Sequence, residues 1–350
     1  MQNQGVKQDI RSVNLDELKD FLVENGEKAF RAKQVYEWLW KKNAHSFEAM
    51  KNLSKKTRDL LETHFRIQHL EVDHFQKSED GTTKIAFRLE DGGLVEGVLI
   101  PAEKRVTACV SSQQGCKFGC RFCATGTLGF TRNLTAGEIY DQIFEIKRRA
   151  EEEFDSTLSN IVYMGMGEPL ENYENVMHSI ERVSADNGLM MAPRRITVST
   201  VGLPHMIKRM ADDEVRFNVA LSLHSAKNEA RDEIMPVNKA YDLEDLIDAI
   251  KYFNEKTGTR VTFEYLLMDK VNDSLSDARA LAEFCKNFPC KVNLIEYNPN
   301  EHAPYQRSSA ERRDAFLKFL EQRNMVVNLR RSRGKDIAAA CGQLANKDKK

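Results

Sequence analysis

The sequence contains no uninterrupted apolar run of about 18 residues, so no stretch reads as a membrane-crossing helix. Its opening, MQNQGVKQDIRSVNLDEL, lacks the apolar core of a secretion signal. The expectation is a cytoplasmic protein with no membrane contact. It also lacks an excess of either charge, with 52 Lys and Arg against 53 Asp and Glu. That balance excludes a globally basic nucleic-acid binder, and any RNA contact must come from local patches. There is no internal repeat, and no low-complexity segment beyond the lysine-rich end. Thiols stay reduced in the cytoplasm, so the seven cysteines read as ligands, catalysts or core residues rather than as a disulfide framework.

Three of those cysteines stand close together, in QQGCKFGCRFCATG: Cys116, Cys120 and Cys123. No acidic or histidine ligand stands beside them. Thiolates are soft donors that suit iron–sulfur clusters, zinc or copper(I). A structural zinc or an electron-transfer cluster normally takes four protein ligands. Three local thiolates leave one position open, which is what a catalytic metal keeps for its substrate. The alternative is a zinc knuckle completed by a distant Cys or His.

Along the chain, residues 14–65 read as helical. Asn14 is a candidate N-cap with Glu17 three residues on, and Leu15, Leu18 and Leu22 mark an apolar face. Nine Lys or Arg and two Glu lie between Lys28 and Arg58. This is a solvated helix face or a phosphate-contacting one. Residues 70–101 read as antiparallel strands with turns at Asp80-Gly81 and at Glu90-Asp91-Gly92-Gly93. From about residue 106, short β-rich runs (RVTACVSS, NIVYMG, RITVST, FNVALSLH, TFEYLLM, KVNLIEYN) alternate with helix-compatible stretches such as 135–152, 172–186, 241–256 and 274–287. Six strand–helix units predict a parallel α/β sheet. Thr135 and Glu138 form a capping-box pattern at the first of these helices. A last strand-like run, VVNLR, precedes a basic tail.

Parallel α/β folds place their sites at the carboxyl ends of strands. The cysteine loop follows the first core strand. The second ends in Gly165-Met166-Gly167-Glu168-Pro169, which is not a dinucleotide fingerprint because Leu170 replaces the third glycine. Later strands end in Ser199-Thr200, in Ser222-Leu223-His224-Ser225 and in Asn298-Pro299. Hydroxyls and amides there can bond a ribose or a base. Cys341 sits among small residues in AAACGQL near the end of the chain, where chain ends are commonly mobile. Cys109 lies on the first core strand. Cys285 and Cys290, in EFCKNFPCKV, read as ordinary buried thiols. Glu96 would pass alone as a solvent-facing strand residue.

C-x3-C-x2-C with Phe122 before the last Cys resembles the signature of radical S-adenosylmethionine (SAM) enzymes. GMGEP resembles their motif for the methionyl amine. Together with SLHS, MPVN (235–238), YNP and DIAAACGQL, the set resembles the RlmN/Cfr group of radical SAM RNA methyltransferases over residues 12–345. The resemblance implies a partial (β/α)6 radical SAM barrel with an N-terminal helical accessory domain and a small β extension. The expected divisions are a helical RNA-binding domain (1–68), a β-hairpin extension (69–104), the core (105–330) and a mobile tail (331–350).

It further implies a 4Fe-4S cluster on Cys116, Cys120 and Cys123, with one iron open for SAM. Gly167, Glu168, Ser199, Ser222, Leu223, His224 and Asn298 would be SAM contacts. Cys341 would take a methyl from one of two SAM molecules used per turnover and, after hydrogen loss to a deoxyadenosyl radical, carry a methylene to adenine. Cys109 would resolve the protein–RNA adduct and leave a Cys109–Cys341 disulfide. Either Cys109 or Glu96 would take the ring proton. The implied substrates are adenosines of 23S rRNA and of the tRNA anticodon loop, methylated at carbon 2. Carbon 8 chemistry of the Cfr type is the alternative, and a zinc-dependent, non-catalytic RNA-binding protein is a reading from another class. An electron donor such as a flavodoxin system and a monomeric state are also expected. The N-terminal basic module and the run Arg330, Arg331, Arg333 and Lys335 are candidate phosphate contacts.

Overall fold

Alternating β and α segments from residue 105 onward lie as parallel strands with connecting helices, and everything before them builds outward from the first strand. The computed structural model describes residues 7–346. The first six residues of the expected accessory domain and the last four of the tail lie outside the described residues. In chain order, the strands are β1 Gln8–Asp9, β2 Phe65–Arg66, β3 Glu71–Lys77, β4 Thr83–Arg88, β5 Leu94–Ala102, β6 Arg105–Cys109, β7 Gln113–Gly115, β8 Phe130–Asn133, β9 Asn160–Tyr163, β10 Ile196–Thr200, β11 Asn218–Ser222, β12 Val261–Leu267, β13 Cys290–Glu296 and β14 Val327–Arg330. The helices are α1 Leu15–Glu24, α2 Arg31–Tyr36, α3 Lys55–His64, α4 Ala136–Phe154, α5 Tyr173–Ser184, α6 Pro204–Asp212, α7 Asn228–Ile234, α8 Leu243–Thr257, α9 Leu275–Cys285 and α10 Ala310–Glu321.

One ten-stranded sheet runs in the order β14-β13-β12-β11-β10-β9-β6-β5-β4-β3. From β6 to β14 every pairing is parallel. β3, β4 and β5 add to it as an antiparallel meander. This is the partial (β/α)6 barrel, with β14 following the sixth unit at the open edge. β12 is buried along its whole length, as a strand covered on both faces must be. The helices pack in pairs, α4 on α5, α6 on α8 and α9 on α10. Among the described residues, no helix is long and apolar enough to cross a membrane.

Local chemistry sets the helix starts. The capping box expected at Asn14 is formed, with Glu17 N donating to Asn14 Oδ1 at 2.9 Å and Asn14 N to Glu17 Oε2 at 2.9 Å. Thr135 and Glu138 form another. α2 runs on into a π-helical turn, Glu37–Lys41, that buries Leu39 and Trp40.

The helical N-terminal module docks on α4 through a buried ion pair. Arg11 donates to both oxygens of Asp141, at 2.7 and 3.0 Å. The Leu70 amide donates to the same carboxylate at 3.0 Å. Gly137 makes room for this, since a Cβ there would lie 2.7 Å from Arg11 Nε.

Candidate active site at the carboxyl ends of the strands

The cysteine loop leaves the sheet after β6 and is fixed by backbone bonds. Cys116 N donates to Gly129 O at 2.8 Å, Arg121 N to Ile234 O at 2.9 Å and Ala124 N to Gly342 O at 2.8 Å. Asn300 Nδ2 holds the Phe122 carbonyl at 3.0 Å. Gly115 admits the close pass of the loop, because a Cβ there would meet Gly129 O at 1.8 Å.

Burial pushes the Cys116 thiol up to about 12 and Cys120 well above the ordinary thiol range. Nearby thiols and Glu168 add to the shift. Bound metal reverses this, because a coordinating thiol is deprotonated outright. No group of three His, Cys, Asp or Glu side chains among the described residues converges on a single ion-sized point. A cluster takes each thiolate on a different iron, so three loop thiols at this spacing fit one. The fit rests on the soft donor set and on the loop's rigid backbone.

Glu168 ends the β9 turn. It is buried, with Oε1 accepting from Leu170 N at 3.1 Å and Oε2 from Val201 N at 2.8 Å. Burial raises its carboxyl to about 7. Gly167 has φ +98°, and a Cβ there would strike Gln113 at 2.5 Å. Ser199 on β10 and Ser222 at the end of β11 are half-buried, and Leu223 is fully buried. His224 takes left-handed backbone with φ +55°. Its Nδ1 accepts from Leu266 N at 3.1 Å, and its ring meets Phe122 edge-on at 4.6 Å. Burial lowers it to about 3, so it is a neutral imidazole that props the cysteine loop. Asn298 gives its amide N–H to Ser332 Oγ at 2.9 Å, and its buried Oδ1 has no partner among the described residues. An orphan acceptor aimed into a site is what a ligand donor would satisfy.

Cys341 and Cys109 lie close enough for the charge of one to act on the other. The charge on Cys341 helps to raise Cys109, which burial pushes up to about 12. Cys341 is exposed, and the protein around it raises its thiol too. Arg330 opposes both shifts.

Glu96 departs from the expectation of a solvent-facing residue. It is 2% exposed, pairs with Lys84 Nζ at 3.2 Å and accepts from the amides of Ala345 and Asn346 at 2.9 and 3.3 Å. It therefore latches the tail that carries Cys341. Thr125 Oγ1 to Leu344 O at 2.8 Å and Gln343 Nε2 to Pro299 O at 2.9 Å complete the docking. The disulfide expected between Cys109 and Cys341 is not formed, and all seven cysteines are free thiols.

Sequence reasoning missed several supports. Arg231 is fully buried and donates to Leu223 O at 3.1 Å, Val201 O at 2.7 Å and Asn238 Oδ1 at 2.7 Å, which ties two strand ends together. Its signal was present in MPVN, whose Asn238 is its partner. Glu264 was not singled out, yet it meets Arg330 at 3.3 Å beside the thiols. Arg330 is thus drawn inward rather than toward phosphate. Arg333 is tied to Asp80 O and Lys335 to Glu296. By contrast, none of the nine basic residues between Lys28 and Arg58 forms an ion pair among the described residues, and Phe30 is half exposed beside Arg31.

The barrel and its cysteine loop define a radical SAM enzyme. Residues 110–285 match the radical SAM superfamily, and residues 8–67 match the ribosomal RNA large subunit methyltransferase N-terminal domain. The chain is 55% identical over 342 residues to a probable dual-specificity RNA methyltransferase RlmN of Flavobacterium johnsoniae, covering 98% of each. It is 44% identical to the dual-specificity RNA methyltransferase RlmN of Campylobacter fetus, covering 96% of this chain and 98% of that one. A crystal structure of a radical SAM methyltransferase from Sphaerobacter thermophilus superposes with a TM-score of 0.91 at 42% identity, covering 97% of this chain and 100% of the other. The chain belongs to the RlmN family of radical SAM RNA methyltransferases.

Proposed function

We propose that this enzyme methylates carbon 2 of an adenosine in 23S rRNA and of an adenosine in the tRNA anticodon loop. The observation that carries the reading is the docking of the Cys341 tail on both Glu96 and the cysteine loop, where the charge of Cys341 reaches Cys109. Carbon 2 of adenine has no lone pair to attack a sulfonium methyl, so the methyl must be delivered by another route. Cys341 is the carrier: as a thiolate it displaces the methyl of one SAM. Arg330 favours that thiolate against the burial that opposes it. Cys116, Cys120 and Cys123 would hold a 4Fe-4S cluster, which with SAM bound would supply one-electron radical chemistry next to the methyl on Cys341.

The remaining work belongs to side chains. Cys341 bears the methylene that bonds to the ring. Glu96 or Cys109 removes the ring proton. As a thiolate, Cys109 then attacks the Cys341 sulfur; the C–S bond breaks, the methylene carbon leaves with its electron pair and takes up a proton to become the ring methyl, and a transient disulfide remains for external reduction. Gly167, Ser199, Ser222, Leu223, His224 and Asn298 shape the SAM pocket. Glu168, raised by burial, would return to carboxylate beside an arriving ammonium. The unpaired lysines of the N-terminal module hold RNA phosphates, and an unpaired base is what such a site takes.

The test is mass spectrometry of RNA and protein together. Wild type should yield 2-methyladenosine, and 8-methyladenosine would favour the Cfr-type chemistry. Cys109→Ala should carry methyl on Cys341 and stall as an RNA adduct through one methylene. Normal turnover by this variant would overturn the assignment.

A further inference from the structure

Cys285 and Cys290 read from sequence as ordinary buried thiols, and Cys285 does lie in the core with Cys290 half-buried against it. Cys285 ends α9 and Cys290 begins β13, at the end of the barrel away from the cysteine loop. Cys290 Sγ donates to the Cys285 carbonyl oxygen at 3.8 Å, which brings the two cysteines together across the turn between α9 and β13. Cys285 is buried and Cys290 half-buried. Both line an open cleft of about 480 Å³. Arg260, Lys286, Lys291 and Arg323 also line it, and no Asp or Glu does. Lys286 meets Glu283 at 2.8 Å on the helix surface, and the other three form no ion pair among the described residues. A pair of adjacent thiols thus sits in a cationic cleft that reaches solvent.

We propose that Cys285 and Cys290 are a redox-active dithiol and that the cleft binds a small disulfide carrying carboxylates. Cys290 is the attacking thiol. It is the more exposed of the two, and the Arg260 charge favours its thiolate. Its thiolate forms a bond to one sulfur of the small disulfide, and the other half leaves as a thiolate that takes up a proton. Cys285 then loses its proton and bonds to Cys290 Sγ, expelling the second half. Two electrons and two protons pass from the protein dithiol to the small disulfide, which becomes two thiols. The product disulfide ties the end of α9 to the start of β13. Cys109 and Cys341 belong to the opposite end of the strands, so this pair reacts independently of them.

The test uses the full chain with its cluster reconstituted under anaerobic conditions. Glutathione disulfide is the anionic probe and bis(2-hydroxyethyl) disulfide the neutral one. Peptide mapping of the native protein should find Cys285 bonded to Cys290. Cys285→Ser should instead trap one glutathionyl group on Cys290, and Cys290→Ser should trap none on Cys285. Glutathione disulfide should react roughly tenfold faster than the neutral probe at low salt, as expected of a steering field. The double variant Lys286→Glu with Arg323→Glu keeps both thiols and should lose that preference. Modification that appears only after denaturation would overturn the dithiol assignment. Equal rates for the two probes would overturn the ligand class.

Discussion

Replacing Glu96 should release the tail that carries Cys341. One carboxylate oxygen accepts the amides of Ala345 and Asn346, and the other faces Lys84. A hydrogen bond to a charged acceptor contributes about 1.5–3 kcal/mol. The two amides share one oxygen, so we count their joint contribution as one such bond. At about 1.4 kcal/mol per factor of ten, the docked fraction should fall roughly 10- to 150-fold in Glu96→Ala. Glu96→Gln keeps an amide oxygen as acceptor and should fall between. Glu96→Ala also strands a buried Lys84 ammonium, so Glu96→Ala with Lys84→Met separates tail release from that penalty. Hydrogen exchange reads the docking directly. The amides of Ala345 and Asn346 should exchange faster by about the same factor, while those of β12 stay protected. Alkylation of Cys341 by iodoacetamide should accelerate in parallel. If exchange at Ala345 and Asn346 is the same in Glu96→Ala as in wild type, Glu96 does not hold the tail.

Changing Cys116, Cys120 or Cys123 to Ala should abolish iron binding and SAM cleavage, and normal iron content in any of them would refute the cluster assignment. Reversing Lys41, Lys42, Lys55 and Lys56 to Glu should weaken RNA binding and flatten its dependence on salt, with RNA-free SAM cleavage unchanged. An unaltered salt slope would return that surface to ordinary solvation. Glu168 gives a pH signature in the cofactor-free protein. Its carboxyl is raised from 4.5 to about 7, so the folded state binds more protons between those values and stability falls as pH rises through that window. The full penalty, roughly 3 kcal/mol at 1.36 kcal/mol per unit, applies above pH 7. Glu168→Gln should flatten urea-unfolding stability across pH 4.5–7, and a persistent slope would show that another group carries it.

Local signals in the sequence carried the framework. The cysteine spacing, the six β-rich runs and the capping residues at Asn14 and Thr135 each act within a few residues, so the text alone exposes them. The supports of the site act at long range. Glu96 and Ala345 are 249 positions apart, and no local pattern links a strand acid to a tail amide. Arg231 was invisible as a clamp because a lone arginine on a short helix reads as solvated. Arg330 was read as phosphate-facing because the charges along its run look alike, and only the fold brings Glu264 across from it. Cys290 was assigned to the core because burial of a thiol is its commonest fate, while the cleft that opens onto it is made by α9, β13 and the turn before β14.

The buried Arg11–Asp141 pair sets an order of events during synthesis. Its partners are separated by 130 positions. At ribosomal speeds of about 5–20 residues per second, Arg11 waits roughly 6 to 26 seconds for Asp141 to be made. Until then its guanidinium lacks the bidentate carboxylate partner it has in the folded protein, and burying it without that partner is costly. The helical module can close its own apolar contacts early, but its angle to the barrel is fixed only when α4 emerges. The N-terminal module and the chemical end of the molecule thus acquire their mutual orientation late, once α4 supplies Asp141 for Arg11, Tyr140 for the Trp40 carbonyl and Glu138 for Gln68.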